Sequence, residues 1–222
     1  MVNLNQLALH YGSDKADSGH AYTYLYDLIF HEYRDRPINF LEIGLAVGGP
    51  ELGGPADRHV ASPSVRMWLK YFSRAHIFGF DISDFSHHDH PRFTFVRGDC
   101  GHQEDLARIA TRAPFFDVVL DDASHASYHQ QLTFKTLFPC VPRGGLYIIE
   151  DLHWQSPYFE DALPPVPKTS DFFVKYLREG IYMENSLLTQ DYMAEFKNSL
   201  QSYSIFPDFK TGSGIKLLVF RV

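Results

Sequence analysis

The chain has 222 residues, 45% hydrophobic and 15% aromatic, which suits one domain with a substantial core. A net charge of -7 with no lysine or arginine run argues against nucleic acid or an anionic membrane surface as the main partner. Cys100 and Cys140 form neither a metal-binding spacing nor a disulfide framework, and no leader pattern or long apolar span is seen, so a cytosolic protein outside the membrane is expected.

In chain order, the first 35 or so residues have room for one or two helices before the first apolar run. "INFLEIG" (38–44) reads as a strand and "SVRMWLKYF" (64–72) as an amphipathic helix. "HIFGFDI" (76–82) and "RFTFVRGD" (92–99) are strands, separated by a polar loop containing "SHHDH" (86–90). That histidine run fits no structural zinc spacing and is expected to be solvated loop. "QEDLARIATRA" (103–113) is a helix, "FFDVVLDD" (115–122) a strand, "YHQQLTFKTLFPCV" (128–141) a helix and "GLYIIED" (145–151) a strand. Strands alternating with helices predict a parallel sheet covered on both faces, which requires near-continuously apolar strands. A loop over 153–170 and a later helix follow. "QSYSIFPDF" (201–209) and "GIKLLVFRV" (214–222), joined through "KTGS", predict an antiparallel hairpin. The expected fold is a doubly wound, mostly parallel, Rossmann-like seven-stranded sheet ending in that hairpin.

Ligands of such sheets bind outside the carboxyl ends of the strands. Those ends carry acids: Glu42 before Gly44, Asp81, Asp99, Asp121 with Asp122, and Glu150 with Asp151. Gly44 allows a close backbone approach. Asp81 can accept both hydroxyls of a ribose, and Asp99 can accept from an adenine amino group. Asp122, Glu150 and Asp151 end neighbouring strands. Converging without a counter-charge, their pKa values would rise, and a Mg²⁺ ion with places left for water and substrate would relieve that.

"FLEIGLAVGG", "GFDIS", "VRGD" and the terminal hairpin resemble class I S-adenosylmethionine (SAM)-dependent methyltransferases. "YGSDK", "RMWLKYF", "LDDASH" and "GGLYIIEDLH", in order, narrow the resemblance to the metal-dependent macrolide sugar O-methyltransferases of the mycinamicin and tylosin type. It extends from about Tyr11 to the end of the sequence. The glycine loop, 45–64, is longer than usual for that family, and the large N-terminal extension of some members is not seen. The resemblance implies residues 36–222 as the methyltransferase domain and 1–35 as a helical segment covering the SAM site.

It also implies roles. Asp122, Glu150 and Asp151 would hold Mg²⁺ with the acceptor, a sugar hydroxyl, and His125 would take its proton. Tyr11, Ser13 and Lys15 of "YGSDK", with Glu42, Gly44, Asp81, Asp99 and Asp121, would surround SAM; an ordinary turn is the plain alternative for "YGSDK". Asp121 can instead cap the next helix or support Asp122. Glu42 can orient backbone or meet the cofactor's amino-acid end. His125 can be a first-turn polar residue, and His129, four positions on, a structural or substrate-lining one. His153, Trp154 and Tyr158 lie in the aromatic, proline-rich loop and are candidate acceptor contacts, although an exposed loop histidine is equally compatible. Met67 and Trp68 are expected in the core. A homo-oligomer with a small-molecule partner is expected.

Three rivals remain. A nicotinamide-dependent oxidoreductase would want G-x-G-x-x-G after the first strand, whereas the glycines fall at 44, 48 and 49. A non-methylating relative would keep the fold for binding or another reaction. A catechol-type acceptor would use the same metal logic as a sugar.

Overall fold

In a computed structural model of the chain, the described residues are 3–54 and 62–222, without the side chain of Glu160. Part of the long glycine loop, 55–61, therefore lies outside them. The seven expected strands form: β1 (Asn39–Ile43), β2 (His76–Asp81), β3 (Phe93–Arg97), β4 (Val118–Asp121), β5 (Leu146–Ile149), β6 (Ser202–Phe206) and β7 (Leu217–Arg221). Their order is β3-β2-β1-β4-β5-β7-β6. The first five pair in parallel, and β7 runs antiparallel between β5 and β6. The order reverses between β1 and β4, which is where a doubly wound sheet opens a crevice.

The helices are α1 (Leu4–Tyr11), α2 (Thr23–Ile29), α3 (Pro63–Tyr71), α4 (Gln103–Ala110), α5 (Ser127–Leu137), α6 (Pro157–Ala162), α7 (Thr169–Val174) and α8 (Gln190–Ser199). Two helices occupy the N-terminal segment, as expected. The region 153–170 is not loop throughout, because α6 forms within it with Pro157 in the first turn, where its missing N–H costs nothing. Two later helices follow, α7, which starts at the end of this region, and α8, rather than one. None of the described helices is long and apolar enough to cross a membrane.

The period of two along each strand divides the core into two layers. Phe40, Val118, Leu120, Leu146 and Ile148 join Tyr26, Phe30, Trp68 and Phe72 on the face covered by α1, α2 and α3. Leu41, Ile43, Val119, Tyr147 and Ile149 join Phe134, Phe173, Phe196 and Phe220 on the other. Met67 and Trp68 are fully buried core residues. The same alternation, continued one residue past β4 and β5, puts Glu42, Asp122 and Glu150 on the first face and Asp121 on the second. That parity decides what each acid can touch.

Two local signals shape the N-terminal segment. The Asn3 side chain accepts the Asn5 N–H at 2.7 Å and starts α1. Gly12, at φ 77°, ends it by donating back to Ala8 and Leu9. The chain then turns under the sheet's carboxyl edge.

At the switch point, Gly44 N–H donates to Phe80 O at 2.9 Å, and Asp122 N–H donates to Ile43 O at 2.8 Å. Gly44 sits at φ 84°, and a Cβ there would overlap the Asp122 carbonyl. Both strain and overlap forbid a side chain. Gly44→Ala is expected to destabilise the fold by at least ~2 kcal/mol, read as a lower Tm in thermal denaturation.

Candidate active site

A cavity of about 720 Å³ opens outside the carboxyl ends of the strands around the β1–β4 switch. Residues 12–15 and 20 wall one side, the glycine loop another, and α5's entry with His153, Trp154 and Phe159 the third. Of the residues expected around a cofactor, Ser13, Lys15, Gly44, Asp81 and Asp99 line it. Asp81 also anchors the glycine loop: its Oδ2 accepts Leu45 N–H and its Oδ1 accepts Ser83 N–H, both at 2.7 Å. Burial nevertheless pushes its carboxyl above the usual range. Asp99 Oδ1 accepts Gly101 N–H at 2.7 Å.

Three expected cofactor contacts do not reach the cavity. Tyr11 lies in the last turn of α1, its ring 5.1 Å from the Arg66 guanidinium of α3. Gly12 has by then turned the chain, so residues 12–15 make the wall instead. Asp121 faces the second layer, as its parity requires. Burial raises its carboxyl to about 8, and its Oδ2 has no hydrogen-bond partner. Glu42 lies beneath the cavity floor, accepting from Ser64 Oγ at 2.8 Å, and burial raises it to about 7.

The expectation of carboxylates without a counter-charge is corrected by Lys15. Its Nζ donates to Asp122 Oδ2 and, at 2.7 Å, to Glu150 Oε2, and lies 4.0 Å from Glu42 Oε1. Burial alone would depress the ammonium's pKa, but Asp122 and Glu150 outweigh it and hold the group well above the ordinary lysine range. Two tyrosines of the N-terminal segment, one helical turn apart, complete the set. Tyr26 OH donates to Glu150 Oε1, and Tyr22 OH donates to Asp151 Oδ1 at 2.6 Å. Both oxygens of Glu150 are thus engaged, and the residue lies behind the cavity wall rather than in it. Nothing in a sequence pattern pointed to Tyr22 or Tyr26; three tyrosines at alternate positions in "YTYLY" (22–26) were the available signal.

The donors turned towards the cavity are Asp122, Asp151 and His125, which offer one ligand atom each within 4.8 Å of one another. Asp151 is buried, which raises its carboxyl, but His125, the Tyr22 hydroxyl, His20 and Lys216 together hold it below the usual range. It stays ionised. His125 Nε2 lies 3.9 Å from Asp151 Oδ2, and His125 Nδ1 is buried without a partner. Both residues take left-handed backbone angles, φ 59° for His125 and 52° for Asp151. Such strain at a non-glycine residue collects at functional sites.

At the mouth, the Trp154 ring stands edge-on to His125 at 5.7 Å and is half exposed. His153 Nδ1 is 3.8 Å from Asp151 Oδ1. Tyr158 does not line the cavity. It lies on the outer side of α6, and the next residue, Phe159, turns in instead. The run "SHHDH" joins no potential metal group among the described residues. A second group with ligand spacing, Asp99, Cys100 and His129, sits at the β3 side of the cavity.

His129 is buried, its Nδ1 2.6 Å from Ser124 Oγ and its ring edge-on to Phe159 at 5.1 Å. Burial lowers its pKa to about 4, so it is neutral at pH 7. The unfolded chain would protonate it near pH 6.5, so the unfolded state binds more protons between pH 6.5 and 4. His129 therefore removes stability as pH falls through that window, by up to ~3 kcal/mol. His129→Gln should flatten the stability profile there, as measured by denaturant unfolding at a series of pH values.

No family model matches the chain. Over 179 residues it is 39% identical to 8-demethyl-8-alpha-L-rhamnosyl tetracenomycin-C 2'-O-methyltransferase of Streptomyces olivaceus, covering 79% of this chain and 45% of that one. It is 42% identical to mycinamicin VI 2''-O-methyltransferase of Micromonospora griseorubida over 153 residues, 68% of this chain and 36% of that one. Among solved structures, the MycE methyltransferase from the mycinamycin biosynthetic pathway, in complex with Mg and SAH, superimposes with a TM-score of 0.75 at 29% identity, over 99% of this chain and 54% of that one. The chain thus spans about half the length, or less, of the proteins it matches. Over that span it is a homologue of the sugar O-methyltransferases of macrolide and tetracenomycin pathways, built on the Rossmann-like methyltransferase fold.

Proposed function

We propose that the chain carries the catalytic machinery of a SAM-dependent, Mg²⁺-dependent O-methyltransferase acting on a hydroxyl of a sugar or glycosylated small molecule. The observation that carries this reading is the grouping of Asp122, His125 and Asp151 on a cavity at the sheet's switch point. The homologues' names support the acceptor class: tetracenomycin-C rhamnosyl and mycinamicin VI O-methyltransferases.

The donor set fits Mg²⁺. Two carboxylates face the cavity, and Mg²⁺ typically takes one or two carboxylates and keeps water or substrate in its other positions. Asp122 and Asp151 are the direct ligands in this reading, and Glu150 joins them if Lys15 releases one of its oxygens. Bound there, the ion supplies Lewis-acid polarisation of a hydroxyl.

His125 takes the acceptor's proton at Nε2, because Nδ1 is sealed from solvent. The Asp151 carboxylate, 3.9 Å away, stabilises the imidazolium that results. The acceptor oxygen forms a bond to the methyl carbon as the carbon–sulfur bond breaks, and the electron pair stays on sulfur. Most of the protein's contribution is alignment of the two reactants. Gly44, Asp81 and Asp99 hold the nucleoside end of SAM, and residues 13–15 cover it as part of the N-terminal segment. His153, Trp154 and Phe159 shape the acceptor side. The acceptor is a small molecule, with no nucleic acid or membrane partner, and the protein works as a cytosolic homo-oligomer.

Calorimetric titration with S-adenosylhomocysteine and with NAD⁺, each with and without Mg²⁺, tests the cofactor. Binding of the former alone supports the reading, and the reverse selects the oxidoreductase. His125→Ala is expected to lower kcat for methyl transfer by ~10²- to 10⁴-fold while S-adenosylhomocysteine still binds. Asp122→Asn should abolish Mg²⁺-supported turnover, and methyl transfer with its Mg²⁺ dependence intact would refute the metal assignment.

A further inference from the structure

Lys15 is 1% exposed, and its ammonium lies among Glu42, Asp122 and Glu150. A buried cation persists only when it is paired and its donors are satisfied. On the other flank a second buried ammonium, Lys216, lies 3.7 Å from Asp151 Oδ1 and 3.0 Å from Asp208 Oδ2. Around the cluster, four carboxylates of the sheet edge, Glu42, Asp122, Glu150 and Asp151, face these two lysines. With Asp208 these make five carboxylates against two ammonium groups, so the cluster keeps a net negative formal charge that a divalent cation would offset.

The segment carrying Lys15 is firmly built. The buried Asn5 carboxamide oxygen accepts from Asp17 N–H at 2.9 Å and Thr23 Oγ at 2.8 Å. Lys15 O accepts Thr23 N–H at 3.1 Å, and His20 N–H donates to Asp14 O at 2.6 Å. Gly19 packs so tightly on the Asp14 carbonyl that a Cβ would overlap it. The backbone that carries the ammonium is therefore held by hydrogen bonds and packing within the N-terminal segment.

We infer that Lys15 is a resident counter-cation that positions Asp122 and Glu150 before any metal or cofactor binds, so that the fold needs no bound ion. Lys15 is a positioning residue: it touches the carboxylates rather than the reacting atoms. The part concerning Mg²⁺ rests on the functional reading above, and the part concerning the fold does not.

The test is a double-mutant cycle of Lys15→Met and Glu150→Gln, with Tm measured in chelator and Mg²⁺ affinity measured by calorimetry. Wild type should stay folded in chelator, and its rise in Tm on adding Mg²⁺ should be smaller than that of Lys15→Met. Lys15→Met should melt several degrees lower in chelator, regain part of that loss in Mg²⁺, and bind Mg²⁺ at least tenfold more tightly than wild type. The double variant, which removes one charge of each sign, should recover stability in chelator relative to Lys15→Met. If Lys15→Met does not fold, the double variant decides: folding supports the inference, and a second failure overturns it. Equal Tm and equal Mg²⁺ affinity in Lys15→Met and wild type would also overturn it. If wild type binds no Mg²⁺ while the cycle behaves as expected, the metal reading fails and the counter-cation stands.

Discussion

The site depends on one buried ammonium among carboxylates. Removing the Glu150 carboxylate from water without a partner would cost several kcal/mol. Lys15 lowers that cost by touching both Glu150 and Asp122, although burial and the Asp122 charge still push the Glu150 carboxyl well above the usual range. The alternation of the sheet delivers Glu42, Asp122 and Glu150 to one face, and the N-terminal segment brings the cation, with Tyr22 and Tyr26, to the same face. Residues far apart in the chain therefore constrain one another. A loss of α1's glycine cap or of Asn5's contacts would be felt at the carboxylates.

The same edge concentrates backbone strain. Gly44 approaches Asp122 more closely than a side chain allows, and His125 and Asp151 adopt left-handed angles. Each strained residue costs on the order of 1–3 kcal/mol. The two apolar layers on the faces of the sheet make that tolerable, since they fix the strands from which these residues project. The result is rigid placement of an ionised Asp151 beside His125, with one imidazole nitrogen sealed and the other open. That asymmetry gives the imidazole a defined direction for taking a proton.

Much of the fold was legible because buried parallel strands must be continuously apolar, and their ends must turn to polar residues. The runs at 38–44, 76–82, 92–99, 115–122 and 145–151 each contain a strand of the sheet. The positions of the acids followed from the same rule. Helix α6 was not legible, since "PYFEDA" is short and stands among prolines. Within the site, Asp121 and Asp122 look equivalent in sequence. One step of strand parity sends the first into an apolar layer and the second to Lys15.

The sequence by itself determined the parallel sheet with its terminal hairpin, the acids at its carboxyl edge and the kinship with sugar O-methyltransferases. These are encoded in local periodicity and in short runs of adjacent residues. Only the tertiary structure decided which acids share a face and which face the cavity. It also set the choice of Phe159 over Tyr158 and the presence of Lys15, Tyr22 and Tyr26 among the carboxylates. Such pairings join residues more than a hundred positions apart, as Lys15 and Glu150 are. No local pattern records where a folded chain will bring a cation back to meet its acids.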